Sequence, residues 1–336
     1  DVYKRQALLY PKLFVSLANF HLILGSFLAC CLLLLVPLVT VSSMNPLLVA
    51  LNAAQTNSKK NVGDAGAGWV FFISTTGSVL GVLVTAFVLV PNITNFRSLL
   101  VLAVALAALA LVLALEEKKL EANQREKLIR LAIIGGLATA ILLTLATQYL
   151  QKDQLLTHRN GEFKIIHERP TFFGNIKIVD SKTHLPNGME LNRRAYLMDG
   201  LAQCVMLENG DPGSSYTYAM ESLGRGLVSD AKRVLVLGLG GGILPMRFAS
   251  PDVEIDVVEI NPESIPLAEE YFSYDKNVAN HFVMDARVFT RKTDKKYDLI
   301  FADLFHGDAT PEYLLSAEFM HDLAQCLTPR GGVVFN

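Results

Sequence analysis

Long apolar runs dominate the first 150 residues of the chain. Four of them approach the roughly 17 to 25 apolar residues that a helix needs to cross a bilayer: about Phe20 to Val41, Trp69 to Val90, Leu99 to Leu115 and Leu131 to Leu150. A buried helix of a soluble protein can imitate one such run, but not four in series. The pattern therefore predicts an α-helical transmembrane region of about four helices over residues 1–152.

The pattern changes after Gln151. Between about residues 163 and 206 apolar and polar residues alternate, which predicts a small antiparallel β-hairpin domain over residues 153–210. From residue 211 to 336 strands and helices alternate, with candidate strands at 233–237, 254–259, 281–284, 298–302 and 332–335. Such alternation is typical of a Rossmann-like parallel sheet that binds ligands at the carboxyl ends of its strands.

A glycine-rich loop follows the first of these candidate strands. Three of its glycines allow a sharp turn and close approach of a ligand to the backbone: Gly238, Gly240 and Gly242. Glu259 ends the next candidate strand, 21 residues after Gly238, near the offset of about 20 residues at which a carboxylate meets ribose hydroxyls. The combination predicts a nucleotide-cofactor site, whereas a glycine cluster alone is often only a structural turn.

Carboxylates follow three successive candidate strands, namely Glu259, Asp285 and Asp303. Because the carboxyl ends of parallel strands meet at one edge of a sheet, we expect these side chains to converge beside the glycine loop. Each aspartate could instead be an ordinary helix N-cap. Three carboxylates after three strands favour a site over three caps.

Charge and cysteine content narrow the classes of ligand. The formal net charge of −2 indicates no electrostatic attraction to nucleic acid. The four cysteines, Cys30, Cys31, Cys204 and Cys326, have neither the spacing of a metal site nor that of a disulfide framework. We therefore expect neither a nucleic-acid partner nor a metal.

Five segments occur in the order found in the spermidine synthase (polyamine aminopropyltransferase) family: Asp199–Gln203, the glycine loop 238–242, Val258–Asn261, Met284–Arg287 and Tyr297–Asp303. Residues of about 160–336 resemble that family, and the apolar half resembles bacterial proteins that fuse membrane spans to such a domain. The resemblance implies an S-adenosylmethionine-dependent methyltransferase-type sheet after the β-hairpin domain. Sheets of this type end with two further strands, so we expect the sheet to be incomplete at Asn336.

The resemblance also implies roles for individual residues. It implies transfer of an aminopropyl group from decarboxylated S-adenosylmethionine, or use of S-adenosylmethionine itself, with a small-molecule amine such as putrescine as acceptor. The residues expected to bind the donor are Gln203, Gly238, Gly240, Gly242, Glu259, Asp285 and Ala286. The residues expected to take part in catalysis are Asp303, His306, Asp308 and Tyr218.

The chain departs from the family pattern in four places, one of which is a binding Gln of the early hairpin that falls on Gly174. Gly241 stands where the family has the acid that anchors the donor's amine, and its loss is expected to open the site to a donor that retains its carboxylate. The family's Tyr-His-Glu element falls on residues 218–220, where only Tyr218 is kept. His306 stands where the family has its proton-accepting aspartate, and is either a replacement base assisted by Asp308 or a solvent-exposed loop residue.

These departures leave two other functions open. One is an S-adenosylmethionine-dependent methyltransferase, and the other is a non-catalytic sensor that binds the nucleoside and signals through the spans. A nucleotide-derived donor is cytosolic, so we expect a multi-pass protein of the cell (inner) membrane whose catalytic domain is cytoplasmic. The lipid bilayer is then a partner, and homo-oligomerisation is left open.

Overall fold

The computed structural model describes residue 17 and residues 21–55, 63–116, 126–127, 129–131, 133–138, 140–141, 144, 154–158, 161–184, 188–305 and 310–336. The chain divides into two compact units, residues 1–85 and residues 86–336. His306 and Asp308 lie outside the described residues, so their predicted roles stay predictions.

Two helices form the described part of the first unit, α1 (Leu22–Gln55) and α2 (Gly63–Val84). One polar contact joins them, because the Ser74 hydroxyl donates to Asn45 Oδ1 at 3.2 Å. A π-helical turn, Thr85–Leu89, and a helical turn, Val90–Asn92, continue the chain into α3 (Asn95–Glu116).

One helical stretch among the described residues is long and apolar enough to cross a membrane. It covers Ala67–Asn92, with a mean hydropathy of 2.1, and none of its apolar window is buried. The other apolar helices found are shorter, Val41–Ala50, Val101–Val112 and Ile129–Ala138. The described helices therefore contain one candidate span where the sequence predicts four, and they do not support a multi-pass protein.

The second unit contains a five-stranded antiparallel sheet in sequential order. Its strands are β1 (Gln154–His158), β2 (Gly161–Thr171), β3 (Gly174–His184), β4 (Glu190–Met198) and β5 (Leu201–Leu207). Ile176 pairs with Met198 and Ile178 with Tyr196, so the alternating apolar residues share one face. The β-hairpin architecture is as predicted.

A turn of two left-handed residues joins β4 to β5. Asp199 has φ 50° and Gly200 has φ 88°, as a tight two-residue hairpin requires. The Asp199 carboxylate also accepts a hydrogen bond from the Asn175 N–H at 2.9 Å. The Asp-Gly pair therefore closes a hairpin, and places Gln203 on the strand that follows.

A five-stranded parallel sheet follows, in the order β10-β9-β6-β7-β8. Its strands are β6 (Arg233–Leu237), β7 (Glu254–Glu259), β8 (Asn280–Val283), β9 (Tyr297–Ala302) and β10 (Leu327–Phe335). The helices are α4 (Ser215–Leu227), α5 (Ile243–Phe248), α6 (Ser264–Phe272), α7 (Ala286–Lys292) and α8 (Ala317–Gln325). This arrangement confirms the predicted parallel α/β sheet.

Two apolar clusters cover the faces of the parallel sheet, as the near-continuous apolar sequence of its strands requires. Val236 and Phe301 belong to one cluster, and Leu235 and Ile300 belong to the other. A third cluster joins the inner face of the antiparallel sheet to α5 and α6. The β-hairpin domain thereby packs beside the glycine loop.

Element boundaries differ most from the predicted ones near residue 336. The last strand begins at Leu327 rather than at 332. The segment before this strand contains a 3₁₀ turn, Glu312–Leu314, and then α8, because Ser316 caps α8 through a hydrogen bond from the Phe319 N–H. The predicted domain limits at residues 152 and 210 stay predictions.

Candidate active site

The glycine loop has a conformation that only glycine adopts without strain. Gly238, Gly240 and Gly242 have φ of 91°, 55° and 74°. A Cβ on Gly238 would lie 2.1 Å from the Asp303 carbonyl oxygen, and one on Gly242 would lie 2.5 Å from the Tyr274 ring. The loop is therefore held tightly between the ends of two strands and the start of α5.

Glu259 fixes the loop from the end of β7. Its carboxylate accepts hydrogen bonds from the Leu239 N–H at 2.9 Å and from the Asn261 N–H at 2.8 Å. Burial raises the pKa of the Glu259 carboxyl, and these N–H groups oppose that effect by stabilising the charged form. The backbone N–H groups of Ile260 and Gly240 act in the same direction, so the carboxylate is held by the loop and by the residues that follow β7.

A cavity of about 440 Å³ lies at the carboxyl ends of the parallel strands, within the size range of small-molecule sites. Most of the residues predicted to bind the donor or to act in catalysis line it: Gln203, Gly238, Gly240, Glu259, Asp285, Ala286 and Asp303. Gly242 and Tyr218 are absent from the described lining. Gly242 instead caps α5.

The cavity wall carries acids and no bases among the residues that the structure describes. Glu259, Asp285 and Asp303 line it, and none of the described lining residues is a lysine, an arginine or a histidine. The predicted convergence of three carboxylates is therefore observed. Such a wall favours a cationic ligand.

Asp285 is both a helix N-cap and a carboxylate of the cavity wall. One carboxylate oxygen caps α7 by accepting from the Val288 N–H at 3.0 Å. The other accepts from the Tyr313 hydroxyl at 3.2 Å. Because both Asp285 and Tyr313 line the cavity, the cap and the cavity wall are the same side chain.

Asp303 follows β9 on the opposite side of the glycine loop. Its N–H donates to the Leu237 carbonyl at 2.9 Å, which fixes it beside the end of β6. Asn336 donates to its carboxylate at 2.9 Å. Burial raises the pKa of the Asp303 carboxyl above its ordinary value, although hydrogen bonding opposes that shift.

Tyr216 lies in the cavity where the sequence predicts Tyr218. The Tyr216 hydroxyl donates to the Gln203 carbonyl at 2.7 Å, while the Tyr218 side chain is 42% exposed. Burial raises the pKa of the Tyr216 phenol, and the negative charge of Asp303 raises it further. The phase of α4 explains the difference, because Thr217, Met220 and Gly224 are buried and Tyr218 is not.

Gly241 faces packed side chains and is not among the described residues that line the cavity. Its N–H donates to Cys204 Sγ at 3.2 Å. A Cβ at this position would lie 2.6 Å from Cys204 Sγ and 2.9 Å from the Phe272 ring. A side chain at this position would therefore overlap Cys204 and Phe272 unless they moved.

Among the described residues, the cavity wall beyond Asp303 is largely apolar. Leu304 and Phe305 follow Asp303 directly, and Pro311 and Leu314 come from the segment before α8. No group of three or more His, Cys, Asp or Glu residues suited to a metal occurs within the described ranges.

Comparison with known proteins agrees with the motifs. Residues 214–336 match the family described as the spermine/spermidine synthase domain. The chain is similar to a polyamine aminopropyltransferase of Vibrio vulnificus, with 31% identity over 185 residues, covering 52% of this chain and 60% of that protein. The chain thus spans less than two thirds of that relative's length.

A second group of relatives consists of methyltransferases. The chain is 34% identical over 107 residues to an N-terminal histidine N-methyltransferase of Emericella nidulans, covering 30% of this chain and 19% of that protein. Among solved structures, human methyltransferase-like protein 13 in complex with SAH covers 36% of this chain and 63% of its own, at 23% identity and a TM-score of 0.33. We assign the fold from the order and direction of the strands and not from this structure, whose TM-score is low.

Proposed function

We propose that the cavity binds an S-adenosyl donor and that the protein transfers an aminopropyl group from decarboxylated S-adenosylmethionine to an amine. The observation that carries the proposal is the acid-only described wall, with Glu259 beside the glycine loop and Asp303 across it. The match of residues 214–336 to the spermine/spermidine synthase domain supports it.

The electrostatics of the wall favour the decarboxylated donor. That donor carries a sulfonium and an ammonium and no carboxylate, whereas ordinary S-adenosylmethionine adds a negative charge. Three carboxylates line the cavity, so among the described residues the extra carboxylate of the ordinary donor meets like charge and no side-chain cation. The Glu259 carboxylate, which lines the cavity at the end of β7, would accept hydrogen bonds from the ribose hydroxyls.

The reaction is a direct displacement. The amine nitrogen attacks the carbon beside the sulfonium, a C–N bond forms, and the C–S bond breaks as its electron pair passes to sulfur. Methylthioadenosine leaves, and the new ammonium loses a proton to a base. We assign that base to Asp303, whose raised pKa brings a carboxylate nearer to the range of an efficient proton acceptor.

Methyl transfer is the second candidate. Gly241 carries no acid to anchor the amine of the donor, and its surroundings leave no space for one. A relative that is an N-terminal histidine N-methyltransferase also matches the chain. On this alternative the same cavity would hold ordinary S-adenosylmethionine, and the methyl carbon would be the one attacked.

We also propose that the stretch Ala67–Asn92 anchors the chain in a lipid bilayer. Its length, its mean hydropathy of 2.1 and the exposure of its apolar window support this. The donor-binding cavity would then be on the cytoplasmic side, where nucleotide-derived donors occur.

Calorimetric titration of the full chain in detergent tests the donor. We expect decarboxylated S-adenosylmethionine to bind at least about tenfold more tightly than the ordinary donor, which corresponds to about 1.4 kcal/mol. Tighter binding of the ordinary donor would favour methyl transfer over the proposed function.

A further inference from the structure

We infer that a pocket beside the turn between β2 and β3 binds a phospholipid whose head group carries a primary ammonium. The inference goes beyond the proposed function and does not depend on which group the protein transfers. It draws on the proposed anchoring of Ala67–Asn92 in a bilayer. The described residues that line the pocket belong to the second unit, residues 86–336.

The end of the apolar stretch packs against this turn. The helical turn Val90–Asn92 contacts β2, and the ring of Phe87 stacks on the ring of Phe172, with 5.9 Å between their centroids. Both residues are largely exposed, at 61% for Phe87 and 57% for Phe172. Exposed apolar groups that adjoin a membrane span are typical of membrane-contacting surfaces. With the stretch in a bilayer, the turn therefore lies at the bilayer surface.

A pocket of about 670 Å³ lies beside the turn. Ile93 and Phe172 give its lining an apolar part, while Lys177 and Asp199 bring a cation and a carboxylate. A zwitterionic phospholipid matches these features together, since its phosphate suits the lysine, its ammonium suits the aspartate and its acyl chains suit the apolar part. Complementary charge and continuity with the apolar stretch therefore favour a lipid as the occupant.

Hydrogen-bond acceptors in the pocket select the kind of ammonium. Asn175 lines the pocket together with Asp199, and its buried Oδ1 has no hydrogen-bond partner among the described residues. A buried acceptor is costly to leave unpaired. The N–H groups of a primary ammonium can pair with both acceptors, whereas the trimethylammonium of a choline head group has no N–H to donate. The pocket therefore favours an ethanolamine head group over a choline head group.

Two donors of the same lining suit the phosphate. Lys177 Nζ lies 3.4 Å from Glu168 Oε1, and a part-exposed ion pair of this kind contributes little to stability. The Thr94 hydroxyl oxygen is buried and lacks a hydrogen-bond partner within the described ranges. A phosphate would accept hydrogen bonds from the lysine ammonium and from the threonine hydroxyl.

The lipid pocket and the donor cavity have one wall in common. Phe173 lines both of them, and its ring packs edge-on against the Phe172 ring, with 5.5 Å between the centroids. Asn261, which also lines the donor cavity, donates to the Thr171 hydroxyl at 3.1 Å and ties the turn to the end of β7. A bound lipid would therefore contact the wall of the donor cavity.

Short-chain lipids test the head group without a bilayer. Dihexanoylphosphatidylethanolamine and dihexanoylphosphatidylcholine, which differ only in the methyl groups on nitrogen, are titrated into the full chain in detergent. We expect the ethanolamine lipid to bind at least about tenfold more tightly, because the choline lipid cannot make the hydrogen bonds to Asn175 and Asp199. Equal affinities, or tighter binding of the choline lipid, would overturn the inference.

Free phosphoethanolamine distinguishes a lipid from a soluble ligand with the same head group. The acyl chains of the lipid bury apolar area that the free compound lacks, so we expect the lipid to bind at least about tenfold more tightly. Equal affinity of the two compounds would show a site for a soluble ligand and would overturn the lipid assignment.

A variant of the pocket provides the second test. In Lys177→Gln we expect the affinity for the ethanolamine lipid to fall at least about threefold, because the phosphate loses a charged donor. Lys182→Gln is the matched control, since Lys182 is exposed on the same strand and is absent from the described lining of the pocket. An unfolding temperature close to that of wild type shows that both variants fold. Unchanged lipid affinity in Lys177→Gln would contradict the inference.

Discussion

Glu259 accepts a hydrogen bond from the backbone N–H of Leu239 at 2.9 Å, and this contact joins the end of β7 to the glycine loop after β6. The Glu259 side chain therefore holds the glycine loop and also lines the cavity. A change at Glu259 should disturb the loop and the ligand together.

Replacement of Glu259 by glutamine should weaken donor binding about ten- to a hundredfold. Hydrogen bonds to a charged group contribute about 1.5–3 kcal/mol, and the glutamine amide would present N–H groups to the N–H of Leu239 or Asn261. Titration with methylthioadenosine measures the loss. Glu263→Gln is the control, since its ion pair with Arg169 is at the surface and contributes little. Equal affinity of Glu259→Gln and wild type would contradict the assignment.

The two neighbouring tyrosines should differ in their effect on turnover. Tyr216→Phe removes the hydroxyl that donates to the Gln203 carbonyl inside the cavity, and we expect kcat/KM to fall by about five- to tenfold from the loss of about 1 kcal/mol. Tyr218→Phe alters a largely exposed side chain and should leave kcat/KM within about twofold. The reverse ranking would favour the tyrosine that the sequence predicts.

Asp303→Asn should separate stability from activity. The raised pKa of Asp303 means that its ionisation costs folding free energy, so wild-type stability falls as pH rises from its ordinary pKa of 3.8 through the raised folded value. Asparagine does not ionise, so Asp303→Asn should have a higher unfolding temperature than wild type at pH 8. Near pH 4, where the wild-type carboxyl is largely protonated, the difference should vanish. Turnover should fall at least about a hundredfold.

Asp298 is a control, because its pKa is lowered in the folded protein whereas that of Asp303 is raised. Burial would raise its pKa, but the N–H groups of Lys232 and Arg233 outweigh burial and lower it. Its contribution to stability is therefore present above the unfolded pKa and is lost as pH falls. Asp298→Asn should be less stable than wild type at pH 8 and approach it at low pH. Parallel pH profiles of the two variants would show that burial of Asp303 is not the cause.

Restoring the family's acid at Gly241 should destabilise the protein. An aspartate Cβ there would lie 2.6 Å from Cys204 Sγ, and overpacking of this kind costs about 1–3 kcal/mol. Gly226→Asp is the control, because a Cβ on Gly226 meets nothing within 4 Å. Thermal unfolding of both variants measures the difference. A stable Gly241→Asp protein with improved donor binding would show that the position can hold the anchor after all.

Local sequence patterns predict those parts of the fold that depend on local periodicity. Ile176 and Ile178 alternate with polar residues, and the structure pairs them with Met198 and Tyr196 as a shared apolar face requires. The strand that ends at Glu259 and the glycines that precede α5 are equally local signals. The parallel sheet and its ligand edge follow from them.

The remaining features depend on contacts between distant residues. The space beside Gly241 is filled by Cys204, 37 residues earlier in the chain, and no local pattern reveals that contact. The choice between Tyr216 and Tyr218 depends on the phase of α4, which Met220 and Gly224 indicate by their four-residue spacing. That signal is present in the sequence, whereas the Cys204 contact needs the fold.

Identification of the nucleoside product tests the central claim most directly. The full chain is incubated with an equimolar mixture of decarboxylated and ordinary S-adenosylmethionine and with putrescine, and the products are separated by mass spectrometry. We expect methylthioadenosine together with an amine enlarged by one aminopropyl group, and loss of both products in Asp303→Asn. Formation of S-adenosylhomocysteine with a methylated amine, or methylthioadenosine formation that persists in Asp303→Asn, would contradict it.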